Sequence, residues 1–392
     1  KSMKFLLICG QVIGLNPVTE RVLTKILFCF RFKYFSFNFL YSIFIFVGQA
    51  IATVLCIYRL FKNSVTITLL SFVSFYLSTA STTLFFLWIA SKWPALMRDV
   101  ANSGLDRYVD VKVQSHLIFK SILLLSLALV EHFLSFNTKL IQSFECPSGN
   151  GTLYKDFIDL SFPWYAELNL PFYIPAGCFL QFINVTATIN WSYSDIFIVC
   201  MSSYLASIFT QINKIIIEAE KKPPFWSALR EDYTKASRLV HSFDHAMSWI
   251  VLCSFATNLF FICLQLFHRR ANGLTCLRRR RPHPDGPLGY EDFIYFAFSF
   301  AFVLGRFMAV SLKASHIHSA AIATAPALYN LPSTVYCNEI QRFVEQVHGS
   351  TVALTGLQFF YVTRGLILSV AGTIVTYELV LIQFNGEDTR KT

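Results

Sequence analysis

The chain has 392 residues, a net charge of +10, 54% hydrophobic residues and only 14% charged ones, with 41 phenylalanines. Soluble domains carry about 25% charged residues, so this balance excludes a water-soluble protein and marks an integral membrane protein. No nucleophile, metal or phosphate-binding constellation supports an enzyme, so no cofactor, no metal and no nucleic-acid partner is expected.

The opening stretch Lys4–Leu15 is apolar, but Gly10 and Gln11 interrupt it and Pro17 stops it, so it does not read as a signal peptide. Crossing the hydrocarbon core takes about 20 mostly apolar residues. Seven stretches qualify, at roughly 37–58, 65–90, 117–136, 172–200, 249–267, 293–312 and 358–384. The predicted class is therefore an all-α integral membrane protein with seven transmembrane helices. The fourth stretch carries Gln181, Asn184, Asn190 and Asp195, so one of its faces must meet protein or water. No internal repeat of the kind that builds many transporters is visible.

Lysine and arginine set the orientation. With the N-terminus inside, segments 1–36, 91–116, 201–248 and 313–357 hold eighteen of them against twelve outside. Half of the twelve sit in the single loop containing Arg269, Arg270 and the run Arg278–Arg281. The N-terminus is thus expected in the cytoplasm and the C-terminus outside. That topology opposes the G-protein-coupled arrangement, although Asp106-Arg107-Tyr108 resembles its Asp-Arg-Tyr triplet. The triplet precedes the third span instead of ending it, so it reads as a solvated loop feature.

Several features of the connections carry less. Asn150-Gly151-Thr152 is a glycosylation sequon in an outside loop, with Asn150 as the acceptor, while Asn184 and Asn190 head sequons inside the fourth span. Cys146 and Cys276 fall in outside loops, which leaves one disulfide as an open alternative. His241 and His245 stand one helical turn apart, without further ligands for a metal. The stretch His268–Gly289 reads as a solvated insert, a species-specific addition or a retained intron. Cys337–Phe360 mixes charged and apolar positions and reads as a helix running into the last span.

In that last span, steps of three or four residues back from Gln383 pass Val380, Thr376, Thr373 with Gly372, Ser369 and Gly365, a small or polar stripe. Such a stripe serves either close helix packing or the wall of a narrow pore. The motif Thr376-Tyr377, five largely apolar residues, then Gln383-Phe384 resembles the signature of insect gustatory receptors. Arg364–Thr373 is similar to the sugar-receptor branch of that family, whereas the Arg-rich loop departs from its pattern.

The resemblance implies a tetrameric, ligand-gated cation channel, homomeric or built with related subunits, in which each last helix contributes to a central pore. On that basis Gln383 and Phe384 form or flank the gate, and Val380, Thr376, Thr373, Gly372 and Ser369 line the wall. Glu378, roughly 200° around the helix from Thr376, faces away from the axis. The implied division is a cytoplasmic segment 1–36, a ligand-binding bundle 37–312, a cytoplasmic anchor 313–357 where subunits meet, the pore helix 358–384 and an extracellular tail 385–392. Localisation would be the plasma membrane of chemosensory neurons, with lipid around the helices. The alternatives are a metabotropic seven-helix receptor and a channel of the bitter-sensing sister branch.

Sugars are held by carboxylates and amides that bond hydroxyl pairs and by aromatic rings that cover the less polar ring faces. In the outer half, Glu131, His132, Trp164, Tyr165, Glu167, Tyr173, Asp292 and Tyr295 offer those groups. Each has an ordinary alternative: Trp164, Tyr165 and Tyr295 as interfacial belt aromatics, Asp292 as a helix-start carboxylate.

Overall fold

A computed structural model describes residues 2–15, 17–22, 28–32, 36–62, 66–109, 111–145, 152–166, 173–218, 225–271 and 288–388. For 2–4, 18–22, 28–32, 111–114, 145, 268–271, 288–292 and 378–388 the description is of the backbone alone. Glu167, Asn150, Cys146, Cys276 and the run Arg278–Arg281 lie outside the described residues.

The N-terminal segment forms α1 (Ser2–Ile13) and a hairpin of β1 (Val18–Val22) with β2 (Phe28–Phe32). Then come α2 (Phe37–Lys62), α3 (Ile67–Ser103), a 3-10 turn at Leu105–Tyr108, α4 (Val111–Glu145), α5 (Leu153–Ser161) and α6 (Pro163–Ala166). The chain continues through α7 (Ile174–Glu218), α8 (Trp226–Ala271), α9 (Leu288–Ile322), α10 (Thr324–Tyr329) and α11 (Asn338–Gly349). A two-residue hairpin of β3 (Thr355–Gly356) with β4 (Phe360–Tyr361) leads into α12 (Arg364–Asp388).

Six described helices are long and apolar enough to cross a membrane, and the Arg364–Tyr377 part of α12 is a shorter apolar helix. The six match the first six stretches read from the sequence and the shorter helix falls within the seventh, but the long helices overrun their stretches. α7 has 45 residues and α8 has 46, about 68 Å at 1.5 Å per residue, against a hydrocarbon core of about 30 Å. Roughly half of each therefore projects from the membrane. Hydropathy ends where the bilayer ends, whereas the backbone hydrogen-bond ladder continues wherever the next turn stays helical.

The central helix is α7, as its polar content requires, and most of its apolar window is buried by neighbours. Asn190 is fully buried and donates to Thr79 O at 3.0 Å and Thr83 Oγ1 at 2.6 Å, while Thr83 donates to Gln49 Oε1 at 2.9 Å. This ties α2, α3 and α7 together where hydrocarbon offers no competing water. Gly48 permits the close approach of α2 to α7, since a Cβ there would come within 2.5 Å of Ile183.

The N-terminal segment is docked: Leu6, Leu7 and Leu15 are buried, and Tyr193 donates to Leu6 O at 2.9 Å. Thr66 caps α3 by accepting from Leu69 N, and Gly104, at φ +64°, closes its other end. Beyond that cap the Asp106-Arg107-Tyr108 triplet departs from the solvated loop expected of it. Arg107 pairs with Asp232 of α8, and Tyr108 is buried and donates to Asp232 Oδ2 at 2.7 Å. Burial, with the bond to Asp232, pushes the Tyr108 hydroxyl up to about 12, so it stays protonated as the donor. Charged residues in a connection look solvated from sequence because their partner lies more than a hundred positions away.

The predicted helix over Cys337–Phe360 ends at Gly349. Val352, Ala353 and Leu354 are buried in extended chain, and Asp244 of α8 then accepts from Thr355 N at 2.6 Å and Thr355 Oγ1 at 2.8 Å. The hairpin turn holds Leu357 and Gln358 at φ +49° and +61°, a left-handed conformation costly for side-chain-bearing residues. Gly356 lies under the Phe360 ring, which a Cβ would meet at 2.3 Å. This braced turn aims α12, which therefore starts at Arg364 and not near 358. Replacing Asp244 with alanine strands the Thr355 donors and is expected to cost about 1–3 kcal/mol. A thermal melt of the purified variant checks this, and an unchanged midpoint would mean that Asp244 does not brace the turn.

Candidate ligand-binding site

The bundle encloses a cavity of about 180 Å³ among α3, α4, α7, α8 and α9. It lies towards the end at which α3, α7 and α9 begin and α4 and α8 finish, away from α10, α11 and the β3–β4 hairpin. The helix period builds it. Glu131, Ser135 and Lys139 recur every fourth residue of α4, and Tyr295, Ser299, Val303 and Arg306 follow one face of α9. Asn184, Thr188, Trp191 and Ser192 come from α7, and Phe261 and Gln265 from α8.

Its rim is polar. Glu131 accepts from Ser299 Oγ at 3.0 Å and, at 3.5 Å, from the Tyr295 hydroxyl, while Gln265 Nε2 donates to Ser299 Oγ at 3.0 Å. His132 contacts Thr188 Oγ1 at 3.2 Å and Gln181 Nε2 at 3.3 Å. Lys139 also lines the cavity and has no ion-pair partner among the described residues. The Gln265 side-chain oxygen and the Trp191 indole N–H are buried without a hydrogen-bond partner. The aromatic wall comprises Phe75 and Phe261 against Trp191, at ring distances of 6.2 and 4.7 Å.

The floor is an ion pair. Arg306 Nε lies 2.7 Å from Asp195 Oδ2, with side-chain exposures of 2% and 1%. Asp195 also accepts from Ser254 Oγ at 2.5 Å and Asn258 Nδ2 at 3.1 Å. Arg306 also donates from Nη1 to Ser192 Oγ at 2.8 Å and from Nη2 to Asn258 Oδ1 at 3.0 Å. Its guanidinium stacks 4.1 Å from the Trp191 ring centre, which holds that ring as a cavity wall. A buried pair with these further bonds ties three helices together at one point.

Of the residues singled out from sequence, the structure brings Glu131, His132 and Tyr295 to this cavity. Trp164 is buried elsewhere, edge-on to Tyr76 at 5.9 Å and Phe162 at 6.0 Å, with Tyr165 packed against the same cluster. Tyr173 stands exposed ahead of α7. Asp292 is described by backbone only, within α9. Sequence reading missed Lys139, which it assigned to a loop, and Arg306, Trp191 and Gln265. The signal for Arg306 was present, since an arginine inside a phenylalanine-rich span needs a buried partner or water.

On α12, Leu366, Val370 and Ile374 pack inward on the core. Ser369, Gly372, Thr373 and Thr376 remain exposed on this chain, and the three hydroxyls donate to carbonyls four residues back at 2.9–3.1 Å. The backbone at Val380, Gln383 and Phe384 continues the helix; their side chains lie outside the description.

Long helices that overrun a membrane, a polar and aromatic cavity at one end and a last helix with an uncovered hydroxyl face together define a multi-pass membrane receptor. The fold matches that of the insect olfactory receptor OR5 from Machilis hrabei, with a TM-score of 0.69 over 97% of both chains at 13% identity. It matches OR5 in complex with eugenol at a TM-score of 0.68 and 14% identity. The sequence profile of the trehalose receptor family matches residues 1–392, and the chain belongs to that family, the sugar branch of the insect gustatory receptors. Among relatives from Drosophila melanogaster, gustatory receptor for sugar taste 64b is 29% identical over 97% of this chain and 93% of its own length. Gustatory receptor 5a for trehalose is 33% identical over 77% of this chain and 66% of its own length. Gustatory receptor for sugar taste 64f is 41% identical over 53% of this chain, a match that spans 42% of the relative.

Proposed function

We propose that the protein is a sugar-gated, non-selective cation channel in the plasma membrane of chemosensory neurons, with a cytoplasmic N-terminus and an extracellular C-terminus. The observation that carries the sugar reading is the α4–α9 cavity, which combines a carboxylate, amides and hydroxyls with an aromatic wall. Glu131, His132 and Tyr295 bind sugar hydroxyls there, together with Lys139 and Gln265, and Trp191 covers a sugar face. At about 180 Å³ the cavity suits one sugar ring; a second ring requires the helices to part.

The pore reading rests on the family motif and on α12. Inward-facing Leu366, Val370 and Ile374 hold the helix to the bundle and leave its hydroxyl stripe free to face an axis shared by four subunits, identical or related. Gln383 and Phe384 form the constriction, which gates by dewetting. Sugar opens the channel only if it binds the open state more tightly than the closed one. Residues 1–36 and 313–357 stay cytoplasmic in this arrangement, and the β3–β4 turn couples bundle motion to α12.

The test is an outside-out patch with trehalose and other sugars applied externally, without nucleotide or G protein. Wild type is expected to pass a sugar-evoked cation current, and Gln383→Ala is expected to change its conductance or open probability. A current indifferent to the substitution removes Gln383 from the gate. A whole-cell response that vanishes on excision favours a metabotropic receptor.

A further inference from the structure

At the opposite end of the same helices lies a second cleft, of about 460 Å³, that is strongly basic. Its basic side chains come from three helices: His116 and Lys120 in α4, Lys214 in α7, Lys313 and His316 in α9. Among the described residues no carboxylate lines it, and none of the three lysines has an ion pair or hydrogen bond. Lys120, Lys313 and His316 share one cleft, so their positive charges are set against one another there. Cations gathered without a counter-charge create a positive potential that an anion relieves.

Position narrows the ligand. His116 and Lys120 open the apolar stretch of α4, Lys313 and His316 close that of α9, and Lys214 lies beyond that of α7. The cleft therefore runs outward from the ends of the apolar stretches of α4 and α9, the level at which basic pockets between helices recognise phosphorylated headgroups. Three lysines and two histidines exceed what one phosphate uses, and lysine ammonium groups serve phosphate as point charges. Ser207, Thr210 and Gln211 add neutral donors for hydroxyls of the same ligand.

We propose that this cleft binds a clustered-phosphate anion, a phosphorylated inositol ring presented either as a lipid headgroup or as a free inositol polyphosphate. Bound there, the anion bridges α4, α7 and α9 beside the start of α12 and stabilises one arrangement of the ends opposite the sugar cavity. The inference stands whether or not that cavity binds sugar.

The experiment uses the purified full chain in nanodiscs, read by native mass spectrometry and thermal shift. Probes are phosphatidylinositol 4,5-bisphosphate in the disc, inositol hexakisphosphate in solution, and phosphatidylserine and inorganic phosphate as comparators. Wild type is expected to prefer at least one clustered-phosphate probe over both comparators, and Lys120→Gln/Lys214→Gln/Lys313→Gln to weaken that binding at least 10-fold. Lys120→Arg/Lys313→Arg, which keeps the charge, is expected to retain binding. Binding of the lipid alone assigns a headgroup, and binding of the soluble probe alone assigns a free ligand. The proposal is overturned if neither probe outcompetes the comparators, or if the triple variant binds like wild type. Should the triple variant fail to fold, Lys214→Gln and Lys313→Gln decide singly: weakened binding in either supports the site, and unchanged binding in both overturns it.

Discussion

Arg306→Met is expected to leave little folded receptor. Removing the guanidinium abandons Asp195, a carboxylate with 1% side-chain exposure, to Ser254 and Asn258 alone, and deprives Ser192 and Asn258 Oδ1 of their donor. Breaking one partner out of a buried pair costs about 3–5 kcal/mol, against a total stability of about 5–15 kcal/mol for typical folded proteins. Loss of the stack on Trp191 adds to this by freeing a cavity wall. The double variant Arg306→Met/Asp195→Leu, which deletes both charges, should recover part of the loss because an apolar pair avoids the desolvation cost. Fluorescence-detected size exclusion followed by a thermal melt measures both. An Arg306→Met protein as abundant and as heat-resistant as wild type would show that the pair is not a structural tie.

The second large effect is expected at Glu131, where sugar sensitivity should fall while folding survives. Its carboxylate accepts from Ser299 and Tyr295 at the wall of the proposed sugar cavity and keeps some exposure, unlike Asp195. Hydrogen bonds to a charged group contribute about 1.5–3 kcal/mol, so Glu131→Ala should raise the half-maximal sugar concentration about 10- to 150-fold. Dose–response curves at matched surface expression measure the shift. A displacement under about twofold would move sugar recognition away from α4. Trp164→Phe provides a contrast: buried beside Tyr76 and Phe162, it should alter heat resistance before it alters sugar sensitivity.

These expectations depend unevenly on what the sequence displays. The seven spans were legible because each needs about 20 apolar residues, a local property of a continuous stretch. The family was legible too, through the Thr376-Tyr377 to Gln383-Phe384 motif of one helix. Span limits were legible only to the edge of the bilayer, since α7 continues beyond its apolar stretch and α8 begins well before its own. The Cys337–Phe360 stretch showed helical composition throughout, but its second half is held out of the helix by Asp244, more than a hundred positions earlier. The same distance hid the attachment of Asp106-Arg107-Tyr108 to Asp232.

The sequence by itself determined the class, the positions of the apolar helices and the family, because hydrophobic length and a contiguous motif are written in neighbouring residues. Only the tertiary structure decided which polar groups share a cavity. It joined Glu131 to Ser299 and Tyr295, placed Lys139 and Gln265 beside them, paired Arg306 with Asp195 and sent Trp164 to a separate core. It likewise gathered Lys120, Lys214 and Lys313 into one cleft from three helices. The physical reason is that helix rotation and packing set which side chains meet, and those are fixed by small residues and buried hydrogen bonds between helices, such as Gly48 against Ile183 and Asn190 against Thr83, that have no signature within any one span.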